Sequence, residues 1–306
     1  MIKKAKRAIA ALLLLLVVTG AWGQEEVLVS QYLHNQFAIN PAFAGSREGL
    51  TLFGGFRKQW GGIESSPTSI LLTGHAPLRN EKMTLGLSMW DYKLHETNEA
   101  TVLATVGYRT KIADGTWLGL ALQPGVTIRS TDWSSVRTME EEDAVFMEKE
   151  TGVAPQLGFG VSVYGTRYFG GLSVKSLFVV DDFERRGGEF APGEATYYLT
   201  GGYRWDVGES FTIQPSLMAD YSKKTDMACD ITVTGGYAEK LYVDLAYRTT
   251  KDVTIGLSYK PKEQLKIAYS YTLSVGDLNG YGSGSHEITL QYDFVYRVKA
   301  VGPRFY

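Results

Sequence analysis

Between residues 241 and 294 the chain alternates, residue by residue, between two unlike surfaces. Leu241, Val243, Leu245 and Tyr247 fall on one side, and Tyr242, Asp244, Ala246 and Arg248 on the other. The pattern returns with Val253, Ile255, Leu257 and Tyr259 against Thr254, Gly256, Ser258 and Lys260. Leu265, Ile267, Tyr269 and Tyr271 then oppose Lys266, Ala268, Ser270 and Thr272, and Ile288, Leu290, Tyr292 and Phe294 oppose Glu287, Thr289, Gln291 and Asp293. A period of two marks a strand whose faces meet different surroundings. The second face is largely small or neutral, where a soluble sandwich would carry long charged side chains, and the apolar face repeatedly ends in tyrosine. Strands of about 10 residues with this division describe a transmembrane antiparallel β-barrel of the outer-membrane kind. The competing class is a large soluble β-sandwich or lipocalin-like barrel.

The amino terminus agrees with export. Lys3, Lys4, Lys6 and Arg7 precede an apolar run from Ile9 to Val18, and Ala21-Trp22-Gly23 places small residues at the two positions that direct cleavage. Residues 1–23 therefore read as a signal peptide, too short in its apolar part to span a bilayer. No cysteine stands at the cut site, which excludes a lipoprotein. Cys229 is the single cysteine, so no intrachain disulfide holds the exported chain. Loss of the four basic residues takes the formal charge from -2 to -6. No second apolar run of ~18 residues follows, and an exported chain of modest hydropathy enters a membrane only as a closed barrel.

The chain divides into residues 1–23, an N-terminal plug or periplasmic segment at 24–49, and the barrel at 50–306. The 24–49 segment is irregular and aromatic, with Asn40-Pro41 starting a turn and Gly45 ending one. Strands are expected at 50–57, 68–76, 83–90, 100–109, 117–128, 153–163, 169–176, 196–205, 211–221 and 228–237. With the four above this makes about fourteen, an even number as bacterial barrels require. Pro124, Pro155 and Pro215 fall inside these strands and predict bulges or strand ends. With a periplasmic N-terminus, the even connections at 77–82, 110–116, 164–168, 206–210, 238–240 and 261–263 are short. The odd ones at 59–67, 91–99, 129–152, 177–194 and 274–286 are mostly long, which is the outer-membrane arrangement.

Signals for chemistry are few. The 129–152 connection carries Glu140, Glu141, Glu142, Asp143, Glu148 and Glu150, and 177–194 carries Asp181, Asp182, Glu184, Arg185 and Arg186. Such charge runs are solvated loop tips or contact surfaces for a cation or partner. His34, His75, His95 and His286 are too scattered for paired metal ligands, and no GxSxG marks a nucleophile. His95 or His286 beside loop acids is the remaining catalytic candidate. Gly54-Gly55, Gly61-Gly62 and Gly235-Gly236 lack the lysine and helix of a phosphate loop and instead relieve crowding in strands. Nothing suggests nucleic acid. The reading is non-enzymatic, with no catalytic, cofactor-binding or metal-ligating residue assigned.

One stretch is distinctive. Gln31-Tyr32, then Asn35-Gln36-Phe37-Ala38-Ile39-Asn40-Pro41-Ala42-Phe43-Ala44-Gly45, followed by Phe53, Phe56-Arg57-Lys58-Gln59-Trp60 and Ser66-Pro67, closely resembles the opening of the PorP/SprF family. The resemblance covers essentially the whole protein, including the signal peptide. It implies an outer-membrane protein of the type IX secretion system and gliding apparatus that supports secretion and surface anchoring of clients with a type B C-terminal domain. It further implies contact with periplasmic machinery such as a peptidoglycan-binding lipoprotein. Asn35, Asn40, Pro41, Gly45, Arg57, Gln59 and Trp60 match the family opening and are the residues expected to bind a partner or form the plug. The client would meet the loops at 91–99, 129–152, 177–194 and 274–286. The alternative is a plugged barrel that transports small hydrophobic or polar solutes; a continuous lumen with a ligand pocket would favour it.

Overall fold

The computed structural model describes residues 32–47, 49–132, 149–175, 195–222, 226–276 and 282–294. The expected signal peptide, the loop 177–194 and the acidic run at 140–148 lie outside these residues. A one-turn helix, α1 (Gln36–Ile39), and a 3-10 turn at Pro41–Phe43 come first. Strands follow as β1 (Leu50–Lys58), β2 (Thr68–Pro77), β3 (Met83–Leu94), β4 (Thr97–Ala113), β5 (Thr116–Asp132), β6 (Lys149–Tyr164) and β7 (Tyr168–Lys175). The rest are β8 (Thr196–Tyr203), β9 (Trp205–Val207), β10 (Phe211–Ser222), β11 (Asp226–Tyr237), β12 (Leu241–Arg248), β13 (Asp252–Lys262), β14 (Leu265–Ser274) and β15 (Ser285–Phe294).

All pairings are antiparallel between neighbours, and the last strand meets the first from Leu50↔Phe294 to Lys58↔His286. The sheet is therefore a closed ring without an edge, which satisfies the backbone of every wall strand inside a bilayer. β8 and β9 pair with β10 in one register, with Ser216↔Gly202 followed by Ile213↔Trp205. They are one strand broken at Arg204, so the ring has fourteen strands.

The prolines explain the gaps. Pro215 has no N–H to offer and lies across from the β8–β9 break. Pairing of β4 with β5 stops at Leu103↔Gly125 and resumes at Val106↔Leu122, skipping Pro124 without a change of register. Pro155 pairs only toward β5, because the β6–β7 ladder begins at Phe159↔Val174. The expected bulges are thus corrected: these prolines open gaps or sit beyond a neighbour's reach. The register shifts fall instead at Lys111/Ala113 and at Tyr259/Lys262, around Pro261.

The two faces divide as the alternation requires. Leu172, Leu257 and Ile288 are 59%, 56% and 56% exposed on the outside, whereas Thr105, Ser258 and Thr289 are buried within. Such a continuous apolar exterior is stable only against lipid. No helix among the described residues is long and apolar enough to cross a membrane.

The connection 91–99 is shorter than expected. β3 runs to Leu94 and β4 starts at Thr97, leaving only His95 and Glu96 in the turn. Arg129 and Glu99 pair at 2.7 Å and Thr97 and Thr131 bond at 3.1 Å, extending the sheet beyond the apolar band. At the other rim, 110–116 contracts to Asp114-Gly115, where Gly115 takes φ +69°.

Candidate functional site

Residues 32–45 run inside the ring, and their local sequence explains how. Asn40 is extended (φ -130°) because proline follows it. Pro41 then opens the 3-10 turn, where a missing N–H is harmless. The Asn40 side chain caps this turn, its Oδ1 accepting from the Ala42 N–H at 2.9 Å. Its Nδ2 donates to the carbonyls of Val161 at 2.9 Å and Leu172 at 3.2 Å, on β6 and β7. The amide lies flat on the wall because glycines stand beneath it. A Cβ at Gly160 would come within 2.1 Å of Asn40 Oδ1, and one at Gly171 within 2.5 Å of Nδ2. Gly119 and Gly86 make the same allowance, for the Ala42 carbonyl and the Phe37 ring, each 2.5 Å from where a Cβ would stand.

A helix of one turn leaves its carbonyls without partners, and a buried carbonyl must find one. The wall supplies them. Ser173 Oγ donates to Ile39 O and Ser162 Oγ to Ala42 O, both at 2.9 Å, and Lys175 Nζ donates to Ala38 O. Gly45 closes the segment with φ +66°, a conformation glycine adopts freely, against Thr84 and Pro77. Its N–H donates to His75 Nδ1 at 3.0 Å, and its carbonyl accepts from Arg109. Phe37 packs on the His75 ring at 4.8 Å between centroids.

Other strands hold the start of the segment. Tyr32 donates to Ser216 Oγ at 3.0 Å and packs with Ile39, Tyr198 and Met218. Asn35 Nδ2 donates to Thr73 Oγ1 at 3.0 Å. His34 joins three strands: Nδ1 lies 2.6 Å from Lys266 Nζ, and Nε2 lies 2.9 Å from Asp244 Oδ2 and 3.1 Å from Ser258 Oγ. An ammonium only donates, so His34 Nδ1 accepts and Nε2 carries the proton toward Asp244. Burial first and then Lys266 push the His34 pKa below its ordinary value, against the pull of Asp244. Burial also raises the Tyr32 phenol to about 12, so it remains a donor.

This Ser, His and Asp grouping is not arranged for nucleophilic attack. Both Ser258 and Asp244 meet the same ring nitrogen, and lysine holds the other, whereas a catalytic base is oriented at one nitrogen and accepts at its opposite. The cluster anchors the segment instead. Among the described residues no three His, Cys, Asp or Glu side chains converge as metal ligands. Beneath the segment a polar cavity of about 280 Å³ reaches the short-turn rim, bordered by Arg47, His75, Arg167, Arg204, Gln214 and Gln291.

The residues picked out by sequence fall into two groups. Asn35, Asn40, Pro41 and Gly45 belong to the segment in the lumen. Arg57, Gln59 and Trp60 lie at the far end of β1, separated by up to about 27 Å of strand at 3.4 Å per residue. Arg57 is buried in the lumen with Glu287 as its cross-strand partner. The Gln59 N–H bonds Pro67 O at 2.9 Å, shaping the first long-rim loop. Trp60 is half exposed at φ +45°, with its N–H on Ser285 Oγ at 3.3 Å. His34, His75, Lys175, Asp244 and Lys266 were not marked by sequence reasoning. The one available signal was glycine at inward positions of adjacent strands, Gly160 and Gly171.

A closed fourteen-strand ring with a lipid-facing exterior and a polar interior defines an outer-membrane β-barrel. The family described as "Type IX secretion system membrane protein PorP/SprF" matches residues 21–292, and the chain belongs to that family. It is accordingly an outer-membrane component of type IX secretion. No functionally curated protein is significantly similar to it in sequence. Among solved structures it resembles the Ralstonia pickettii toluene transporter TbuX at 9% identity, with a TM-score of 0.53, over 87% of this chain and 94% of that one. It resembles the CymD monoaromatic hydrocarbon channel at 10% identity, with a TM-score of 0.51, over 90% and 96%. At such identities the likeness concerns the fold alone.

Proposed function

We propose that this chain is a non-enzymatic barrel that supports secretion and surface anchoring of clients with a type B C-terminal domain, its lumen plugged by residues 32–45. The observation that carries the plug is the Asn40 amide seated on Gly160 and Gly171, with further anchors at Tyr32 on β10 and, across the ring, at His34 on β12 to β14. The client is received at the long-loop rim. The cavity beneath the plug, with Arg47 and Arg167 at its border, suits contact with periplasmic machinery such as a peptidoglycan-binding lipoprotein.

Deleting residues 177–194 tests the client's side: the barrel is expected to assemble while the client is lost from the cell surface. Normal client retention by a correctly inserted deletion would reject that loop's role. Planar-bilayer conductance separates the scaffold from a solute channel. A plugged scaffold stays closed and conducts after removal of residues 32–45, whereas steady current through the intact chain would favour transport.

A further inference from the structure

The outward residues above the apolar band form a row that the strand register makes explicit. Lys93 pairs with Thr68, Thr68 with Lys58, Lys58 with His286, and His286 with Tyr271. These five residues cross β3, β2, β1, β15 and β14 at the rim of the long loops. One outward step toward the short-turn rim, the matching row is Asp91, Ile70, Phe56, Ile288 and Tyr269. Lys58, Lys93 and His286 are exposed, as are Ile70, Phe56, Ile288 and Tyr269. The Tyr269 hydroxyl lies 2.7 Å from His286 Nδ1, which fixes the imidazole at the rim.

Trp60 follows β1 two residues beyond Lys58 and is partly exposed. A bulky residue at φ +45° is strained, and here the conformation is held by bonds between the first and last loops: Gly61 N–H to Gly284 O at 2.7 Å and Ser283 N–H to Gly61 O at 2.8 Å. Lys58 and Lys93 flank Thr68 on adjacent strands about 4.8 Å apart, within reach of one anion for side chains of this length. Asp91 lies beside Ile70 under Lys93, and offsets Lys93 more than Lys58.

We infer that this face of the barrel binds a phosphate-bearing lipid headgroup of the outer leaflet. Lys58 and Lys93 would hold the phosphate over Thr68, and the acyl chains would lie on Phe56, Ile70 and Ile288. A cation row set directly above an apolar row matches a headgroup joined to its tails. A soluble anion has no use for the second row.

The test uses the full mature chain in detergent micelles containing bis-phosphorylated lipid A or its dephosphorylated form, with retained lipid counted by native mass spectrometry. Barrel folding of every variant is checked by heat-modifiable migration. The K58Q/K93Q pair is expected to retain roughly tenfold less phosphorylated lipid than the parent. K58R/K93R should retain it fully, as should K260Q/K262Q at the opposite rim. Equal retention by K58Q/K93Q, or equal retention of the dephosphorylated form, would overturn the inference. So would displacement by millimolar inorganic phosphate alone, which would mark a bare anion site.

Discussion

Asn40 engages backbone with both ends of its amide, one end capping its own turn and the other bridging two wall strands. Replacing it with alanine removes the donor to two buried carbonyls and should loosen the segment by about 1–3 kcal/mol. The expected readout is faster protease cleavage within residues 32–45 while the barrel still migrates as folded. Gly160→Val acts from the wall side: a Cβ there has no room beside Asn40 Oδ1, so the segment should be expelled and the lumen should conduct. His34 adds a dependence on pH. Its folded pKa lies below the ordinary value of 6.5, so its contribution is complete above about 6.5 and declines as pH falls from there toward the folded value. Corrected for the intrinsic fall of exchange rate with pH, protection of the segment should decrease between pH 7 and pH 5, and His34→Gln should flatten that slope.

At the scale of elements, Pro215 offers a direct test of the wall. Pro215→Val supplies the N–H whose absence parts β8 from β9 and should stabilise the barrel by about 0.5–1.5 kcal/mol, measured by urea unfolding in detergent. Unchanged stability would mean that Arg204, not the proline, dictates the break. The strands were legible because lipid on one side and a polar lumen on the other impose a period of two over each crossing. Legibility failed where one of those surroundings ends. β3 and β4 continue past the apolar band, and there Lys93 and Asn98 replace the outward apolar residues, so the alternation fades though the ladder continues. The seat of the N-terminal segment was illegible for another reason. Asn40 and Val161 are 121 positions apart, and the glycine floor has meaning only once β6 and β7 lie side by side. The family resemblance marked the segment's residues without indicating what they touch.

For the molecule as a whole, the chain order has its own consequence. Residues 32–45 stand ahead of every wall strand in the chain, and the ring is completed by the seam of β1 with β15. The fourteen staves are therefore expected to gather around that segment, like a cask raised about its bung rather than stoppered afterwards. Refolding into micelles should be slower for a chain shorn of that opening stretch, and supplying the stretch later as a free peptide should not restore the pace.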